Sequence, residues 1–290
     1  MKFFVLLIFP CTSLVLACQS QENSIFSVVY KFEHQIDSGS IASVTSKNML
    51  LQVTQLESKF FEATSFEQML AAKAANESGK ASVGATPVMG GPIAVVNSSD
   101  AANEEFYQLI GRKQLITTVG IGFDLFKVSQ VLPAIAWQLN TDTKQVLGYN
   151  CQKAIGAYKG RVYTVWFTQD LPYSFGPWKL NGLPGTILEA EDSKKQIRFT
   201  AISVKREQQP YWENYTQAIS TTEQKLLKAK RNFEKDPLAM AKGSIAGSYN
   251  GDIPLVYVDD KGNSLEGEAA RKAIEAKRRI KNNNPLELTP

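Results

Sequence analysis

The stretch FGPWKLNGLPGTILEAED (residues 175–192) decides the fold that we expect for this chain. It places two prolines, three glycines and Trp178 ahead of a strand-like run from Thr186 to Glu191. Proline presets φ at about −65° and glycine tolerates positive φ, so Leu183-Pro184-Gly185-Thr186 is expected to form a type II turn. The sequence therefore predicts a stiff, tryptophan-bearing bend that leads directly into a β-strand.

Short segments of strand character recur on both sides of this bend. Residues 28–36 alternate with period two, which puts His34 on the same side as four apolar residues, Val28, Tyr30, Phe32 and Ile36. Further candidate strands are 49–62, 114–126, 134–139, 144–155, 161–169, 186–191 and 196–206, with turns expected at 140–142, 158–160 and 192–195. No βαβ alternation is visible, so we expect a mainly β fold, with an antiparallel sheet rolled as a half-barrel or a sandwich.

We expect residues 25–290 to form a single β domain that follows a short linker at 18–24. Residues 71–102, rich in small and polar side chains, are expected to be a mobile insertion that begins as the tail of a short helix. Two helices are expected near the C-terminus, at 220–236 and 264–281. In the first, Ser220 and Glu223 have the spacing of a capping box, and Leu226, Ala229 and Phe233 share one face.

The N-terminus has the features of an export signal. Residues 1–17 combine Lys2 with an apolar run, which is typical of a secretory signal peptide. The end of the run, Val15-Leu16-Ala17-Cys18, is similar to a bacterial lipobox, which would make Cys18 a lipidated membrane tether. Cleavage by the ordinary signal peptidase a few residues later is the alternative. Both predict an exported protein of the periplasm or the outer membrane.

Charge and cysteine content exclude several function classes. The formal charge is +4, and residues 261–290 alone contribute +3, which leaves the folded body near neutral and disfavours a nucleic-acid partner. Cys11 lies in the signal, so Cys151 and Cys18 are the cysteines left in the mature chain. With one histidine, a zinc site of the usual type is not expected. No phosphate-binding loop, HExxH or GxSxG motif is present, and we expect no cofactor and no metal.

Four segments carry a resemblance to a known family. GYNCQKA (148–154), GRVYTVWFTQDLP (160–172), the opening stretch and the closing NNPLEL (283–288) are similar to the GLPGLI family of bacterial envelope proteins. The resemblance implies export and a mostly β fold, and it implies no established activity. The signature here is Gly182-Leu183-Pro184-Gly185-Thr186-Ile187, with Thr186 where the family usually has Leu. That difference does not affect the expected turn. It leaves open only whether the side chain at position 186 packs against an apolar partner.

The candidate site residues each have two interpretations. Trp166, Trp178, Tyr163 and Phe175 could line a cavity for an apolar or ring-bearing ligand, or they could fill the core. Cys151, at the family's cysteine position, could be a nucleophile assisted by His34. Its mid-strand position favours an unreactive core residue instead.

Carboxylates near the opening stretch suggest a further site. Asp170, Glu189, Glu191 and Asp192 could form an acid and base pair or a calcium site. Alternation puts Glu189 and Glu191 on the same side of their strand, and that side is expected to face solvent.

The function predicted from the sequence is an exported, non-enzymatic binding or accessory protein of the cell envelope. Its partner would be an envelope protein or an apolar ligand. The alternatives are a cysteine-dependent enzyme that uses Cys151 and His34, and a scaffold that docks through its basic C-terminal helix at 264–281.

Overall fold

The computed structural model describes residues 23–77, 94–97, 104–121, 124–235, 255–258, 264–278 and 283–288. The expected signal peptide, Cys18 and most of the 71–102 insertion lie outside these residues. None of the helices that the structure describes has the length and hydropathy to cross a lipid bilayer.

The described part of the chain is mainly β. The strands are β1 (Asn23–Ser24), β2 (Phe26–Gln35), β3 (Val44–Val53), β4 (Glu57–Glu62), β5 (Ala94–Asn97), β6 (Glu104–Leu109), β7 (Gln114–Ile121), β8 (Asp124–Val131), β9 (Gln138–Val146), β10 (Tyr149–Tyr158), β11 (Arg161–Thr168), β12 (Thr186–Asp192), β13 (Ile197–Lys205), β14 (Gln209–Pro210), β15 (Ile219–Ser220), β16 (Leu255–Val258) and β17 (Ser264–Glu266). The helices are α1 (Ala63–Glu77), α2 (Glu223–Lys235) and α3 (Gly267–Arg278), with a short 3-10 helix at Ile41–Ser43.

Twelve strands form one open sheet in the order β15-β8-β7-β6-β4-β3-β2-β13-β12-β11-β10-β9. Every neighbouring pair is antiparallel except β15 with β8. The predicted mainly β, antiparallel fold is therefore confirmed. Two smaller sheets pair β1 with β14, and β16 with β17 and β5.

The sheet rolls around its inner face, because side chains from distant strands meet there. Tyr30 on β2 donates a hydrogen bond to the Ile187 carbonyl at the start of β12, over 2.6 Å. The Phe60 ring on β4 lies 6.1 Å from the Phe199 ring on β13. The inner positions of β2, where alternation predicted an apolar side, are all buried. One hydrophobic core thus joins both halves of the sheet.

Some predicted strands are two strands in the structure. Segment 49–62 divides into β3 and β4, since Thr54 accepts hydrogen bonds from the backbone N–H groups of Leu56 and Glu57 and closes a turn. Segment 114–126 divides into β7 and β8. Neither reversal contains a proline, and the first contains no glycine, so the pattern alone did not mark them.

The prediction of a chain reversal at 140–142 is wrong. The chain does not reverse there. Asn140 Oδ1 accepts a hydrogen bond from the Asp142 N–H over 2.8 Å, and the residues form a bulge opposite Lys153 in the middle of β9. The reversal lies at Leu147-Gly148, where both residues have positive φ (52° and 83°). An irregular edge strand is a common protection against pairing with other chains.

The helices lie close to the predicted positions, with one corrected cap. Thr222, not Ser220, caps α2, because its hydroxyl accepts the Lys225 N–H over 3.4 Å while Ser220 belongs to β15. The predicted apolar face of α2 packs against β7 and β8. Within the predicted mobile insertion, Ala94–Asn97 is a strand that pairs with β16, so the chain is not a loop there.

Candidate functional site

The crossover loop, residues 169–185, fills the inner side of the rolled sheet. It joins β11 to its neighbour β12 and folds back on itself. The Gly182 N–H donates to the Ser174 carbonyl (3.1 Å), and the Ile187 N–H donates to the Phe175 carbonyl (3.0 Å). Its large apolar side chains, all at most 3% exposed, are Leu171, Phe175, Trp178, Leu180 and Leu183. The predicted stiff bend is therefore a buried plug of the core.

The turn at Pro184 differs from the expected type II turn. The Gly185 N–H donates to the Leu183 carbonyl over 2.8 Å, which closes a three-residue γ-turn around Pro184. Gly185 lies outside the left-handed region. A Cβ on Gly185 would lie 2.1 Å from the Thr168 carbonyl oxygen. Glycine is required here for close backbone approach and not for a positive φ.

Trp178 adopts a conformation that bulky residues rarely occupy. Its φ is +57°, in the left-handed region that glycine favours. Gln108 on β6 holds it from across the roll, since its Nε2 donates to the Trp178 carbonyl over 3.0 Å. The indole meets the Tyr158 ring edge-on at 5.5 Å. The surrounding core thus holds a strained backbone in place.

The structure does not bring the four predicted ligand residues together. Tyr163, Phe175 and Trp178 are buried in the main core. Trp166 lies on the opposite, polar face of β11, where the Lys144 ammonium lies 4.5 Å from the centre of its ring and pairs with Glu189. The interpretation as core describes the first three residues, and Trp166, which also packs against this core, is only half-buried.

Thr186 packs against polar rather than apolar partners. Its side chain is fully buried, and Oγ1 lies 3.1 Å from both the Leu171 and the Tyr173 carbonyl oxygens. The hydroxyl therefore meets polar partners where a leucine would meet none. It ties the start of β12 to the crossover loop.

Cys151 and His34 are not neighbours. Three strands separate β2 from β10 in the sheet. The Cys151 thiol lies 3.6 Å from the Tyr149 carbonyl oxygen, and His34 Nε2 donates to the Asn284 carbonyl over 2.7 Å. Burial, and then the charge of Glu189, raise the pKa of the Cys151 thiol to about 11. A nucleophilic thiol needs the opposite shift.

We expect Cys151 to resist alkylation. At pH 7.5 the native protein should show almost no iodoacetamide adduct after an hour, whereas the protein unfolded in guanidinium should be fully modified. Intact-mass spectrometry measures both. Rapid modification of the native thiol at neutral pH would contradict the assigned pKa and revive the enzyme interpretation.

A buried ion pair lies at one end of β11 and β12, and it contains Asp192, one of the four carboxylates suggested for an acid and base pair or a calcium site. Arg161 Nη1 lies 2.8 Å from Asp192 Oδ2, and both side chains are 1% exposed. The other carboxylate oxygen of Asp192 accepts the backbone N–H groups of Gln196 and Ile197. Both residues occupy inward positions of their strands, and a charged residue at an inward position is the sequence signal that could have located the pair.

Arg161 also binds the end of the chain. We call residues 283–288, the NNPLEL segment, the C-terminal clasp. Arg161 donates to Asn284 Oδ1 (2.6 Å) and to the carbonyls of Pro285 (2.7 Å) and Leu286 (3.1 Å). Asn284 in turn donates to the Gln35 carbonyl over 2.6 Å. The clasp thereby joins the end of β2 to the start of β11, which gives the closing motif a structural role.

Stability should fall as the solution is acidified below about pH 6.5, the ordinary pKa of histidine. Burial first, and Arg161 less strongly, lower the pKa of His34, while its hydrogen bond to Asn284 opposes the shift. Below pH 6.5, His34 therefore binds a proton more readily in the unfolded chain than in the folded chain. The free energy of unfolding then falls as the pH falls. Urea unfolding at pH 5.5 to 7.5 measures this. His34→Gln should flatten the slope, and an unchanged slope would contradict the assignment.

A second buried charge, Lys59, lies on the outer face of the sheet. Its ammonium pairs with Glu105 at 3.0 Å and donates to the Trp212 carbonyl over 3.2 Å. Tyr107 donates to the same carboxylate over 2.6 Å. These groups fix the segment that follows β13 onto the sheet. No group of three or more His, Cys, Asp or Glu side chains suited to a metal ion occurs among the described residues.

Comparison with known proteins gives a partial match. The family model described as "N-glycanase peptide, N-terminal domain" matches residues 123–230. Two solved structures of PNGF-II, in space groups C2 and P21, are similar to the chain, each with 13% sequence identity and a TM-score of 0.47. The first alignment covers 72% of this chain and 32% of PNGF-II, and the second covers 71% and 33%. The chain thus spans about a third of the length of PNGF-II. None of the curated proteins compared matches it.

Proposed function

We propose that this chain is an exported, non-enzymatic binding or accessory protein of the cell envelope and a member of the GLPGLI family. The observation that supports this most is the separation of Cys151 from His34, each held by other partners. The buried Arg161–Asp192 pair is likewise used to hold the clasp. Leu183, Gly185, Thr186 and Ile187 of the signature are buried where the loop meets the start of β12, which supports a structural role for the signature.

The binding partner is proposed to be an apolar ligand or another envelope protein, with lipidated Cys18 as a membrane tether. Mass spectrometry on the mature protein purified from its own envelope tests both parts. We expect an acylated N-terminal cysteine and a co-purifying ligand or protein. An unacylated chain that carries neither, together with rapid alkylation of Cys151, would contradict the proposal.

A second candidate is an accessory role beside an N-glycanase, which the match of residues 123–230 to the N-terminal domain model favours. Isothermal titration with a glycopeptide and with the same peptide after glycan removal tests it. Binding that requires the glycan would support this role. Equal or absent heats for the two peptides would exclude it.

A further inference from the structure

The C-terminal clasp places one carboxylate between two lysines. Glu287 pairs with Lys179 of the crossover loop, and Lys159 lies 3.9 Å from its other oxygen. The Lys179 side chain is only 13% exposed. A lysine this buried is costly without an anionic partner, so the body of the protein carries a built receptor for a carboxylate.

The lysine is surrounded by aromatic rings. Its ammonium lies 5.5 Å from the centre of the Trp178 ring and 5.7 Å from the Phe106 ring. Tyr158 packs edge-on against Trp178. Burial raises the pKa of its phenol, and the negative charge of Glu287 raises that pKa further. The receptor thus places a positive charge beside two buried rings of the main core.

The clasp residue that precedes Glu287 is apolar. Leu286 is half-buried and packs against the main core, and Glu287 follows it directly. The Leu288 N–H then donates to the Lys159 carbonyl over 2.9 Å, which fixes the peptide at this point. The clasp therefore presents an aliphatic group and a carboxylate side by side.

From this arrangement we propose that Lys179 and Lys159 form a binding site for an aliphatic carboxylate, which Glu287 occupies and blocks in the free protein. A ligand enters by exchanging its carboxylate for that of Glu287, while its hydrocarbon chain takes the place of the half-buried Leu286 side chain against the main core. The inference rests on the proposed binding function, and it names the ligand class.

Exchange is possible without loss of the fold, because the rest of the clasp is held independently. Asn284 and Pro285 bind Arg161, and the Asn283 N–H donates to the Ile36 carbonyl over 3.1 Å. Removing the Glu287 side chain therefore vacates the lysines and leaves the Arg161 contacts in place.

Titration of the full mature chain with dodecanoate, followed by tryptophan fluorescence and calorimetry, tests the proposal. Glu287→Ala should bind dodecanoate at least about tenfold more tightly than the natural chain, because the competing carboxylate is gone. Lys179→Met in the same background should abolish the gain. Lys159→Gln should reduce it in part. Glu191→Ala, which removes an exposed carboxylate on the outer face, should change nothing.

Two ligand controls define the class. Dodecanol tests the need for the charge and butyrate tests the need for the chain, and both should bind weakly to Glu287→Ala. Equal affinity of dodecanoate for the natural chain and Glu287→Ala, or a gain that survives Lys179→Met, would overturn the proposal. A ligand of another class found on the protein from its own envelope would uphold the binding function while rejecting this site.

Discussion

Replacing Arg161 by methionine should lower the free energy of unfolding by about 3 to 5 kcal/mol, the range for breaking a buried ion pair on one side. The substitution leaves Asp192, itself 1% exposed, charged and without its cation. It also removes the donors that hold Asn284 and the clasp carbonyls. Guanidinium unfolding followed by circular dichroism measures the loss.

Arg198→Met provides the matched control. Arg198 pairs with Glu191 on the exposed face of the same sheet, where its side chain is 47% exposed, and the loss should be about 1 kcal/mol or less. Adding Asp192→Asn to Arg161→Met should restore part of the stability, because the unpaired charge disappears. Similar losses for Arg161→Met and Arg198→Met would show that the buried pair does not anchor the clasp.

Gly185→Ala should be at least as damaging, with a loss of about 3 kcal/mol or more, since overpacking against backbone cannot be relieved by a rotamer change. The new methyl carbon would lie 2.1 Å from the Thr168 carbonyl oxygen and 2.7 Å from its carbon. Either β11 or the crossover loop must move, and both belong to the core. The same unfolding assay applies.

Gly111→Ala is the control, because nothing lies within 4 Å of the position that its Cβ would take. That change should stay within about 0.5 kcal/mol of the natural chain. A Gly185→Ala protein as stable as Gly111→Ala would mean that the loop does not pass as close to β11 as described here.

The sequence predicted the hairpins better than the long-range contacts. The reversal at Tyr158-Lys159-Gly160 follows directly from turn chemistry, and Lys159 and Gly160 indeed have positive φ. Leu147-Gly148 was missed because leucine rarely enters the left-handed region, whereas Asn140-Thr141-Asp142 was overvalued because polar residues also form bulges. Local preference could not decide between a turn and an irregular edge strand.

The arrangement of the candidate site could not be predicted from the sequence. Trp178 and Phe175 were singled out, yet alternation alone could not tell a ligand-lined cavity from a plug that fills the roll. The clasp contacts join residues more than 100 positions apart, such as Arg161 with Asn284. No local pattern encodes such a pairing, although Arg161 at an inward position already required a partner. The Gly185 contact depends on a strand approach that appears only in three dimensions.

Hydrogen exchange of the native protein, resolved to single amides, tests most directly whether the crossover loop belongs to the interior of the structure. We expect the amides of Gly182, Thr186 and Ile187, bonded to loop carbonyls, to exchange only through global unfolding. They should match the protection of central amides in β2 and β13. Exchange of these loop amides as fast as that of the exposed turn at Leu147-Gly148 would contradict the account, because it would make the tryptophan bend a surface loop.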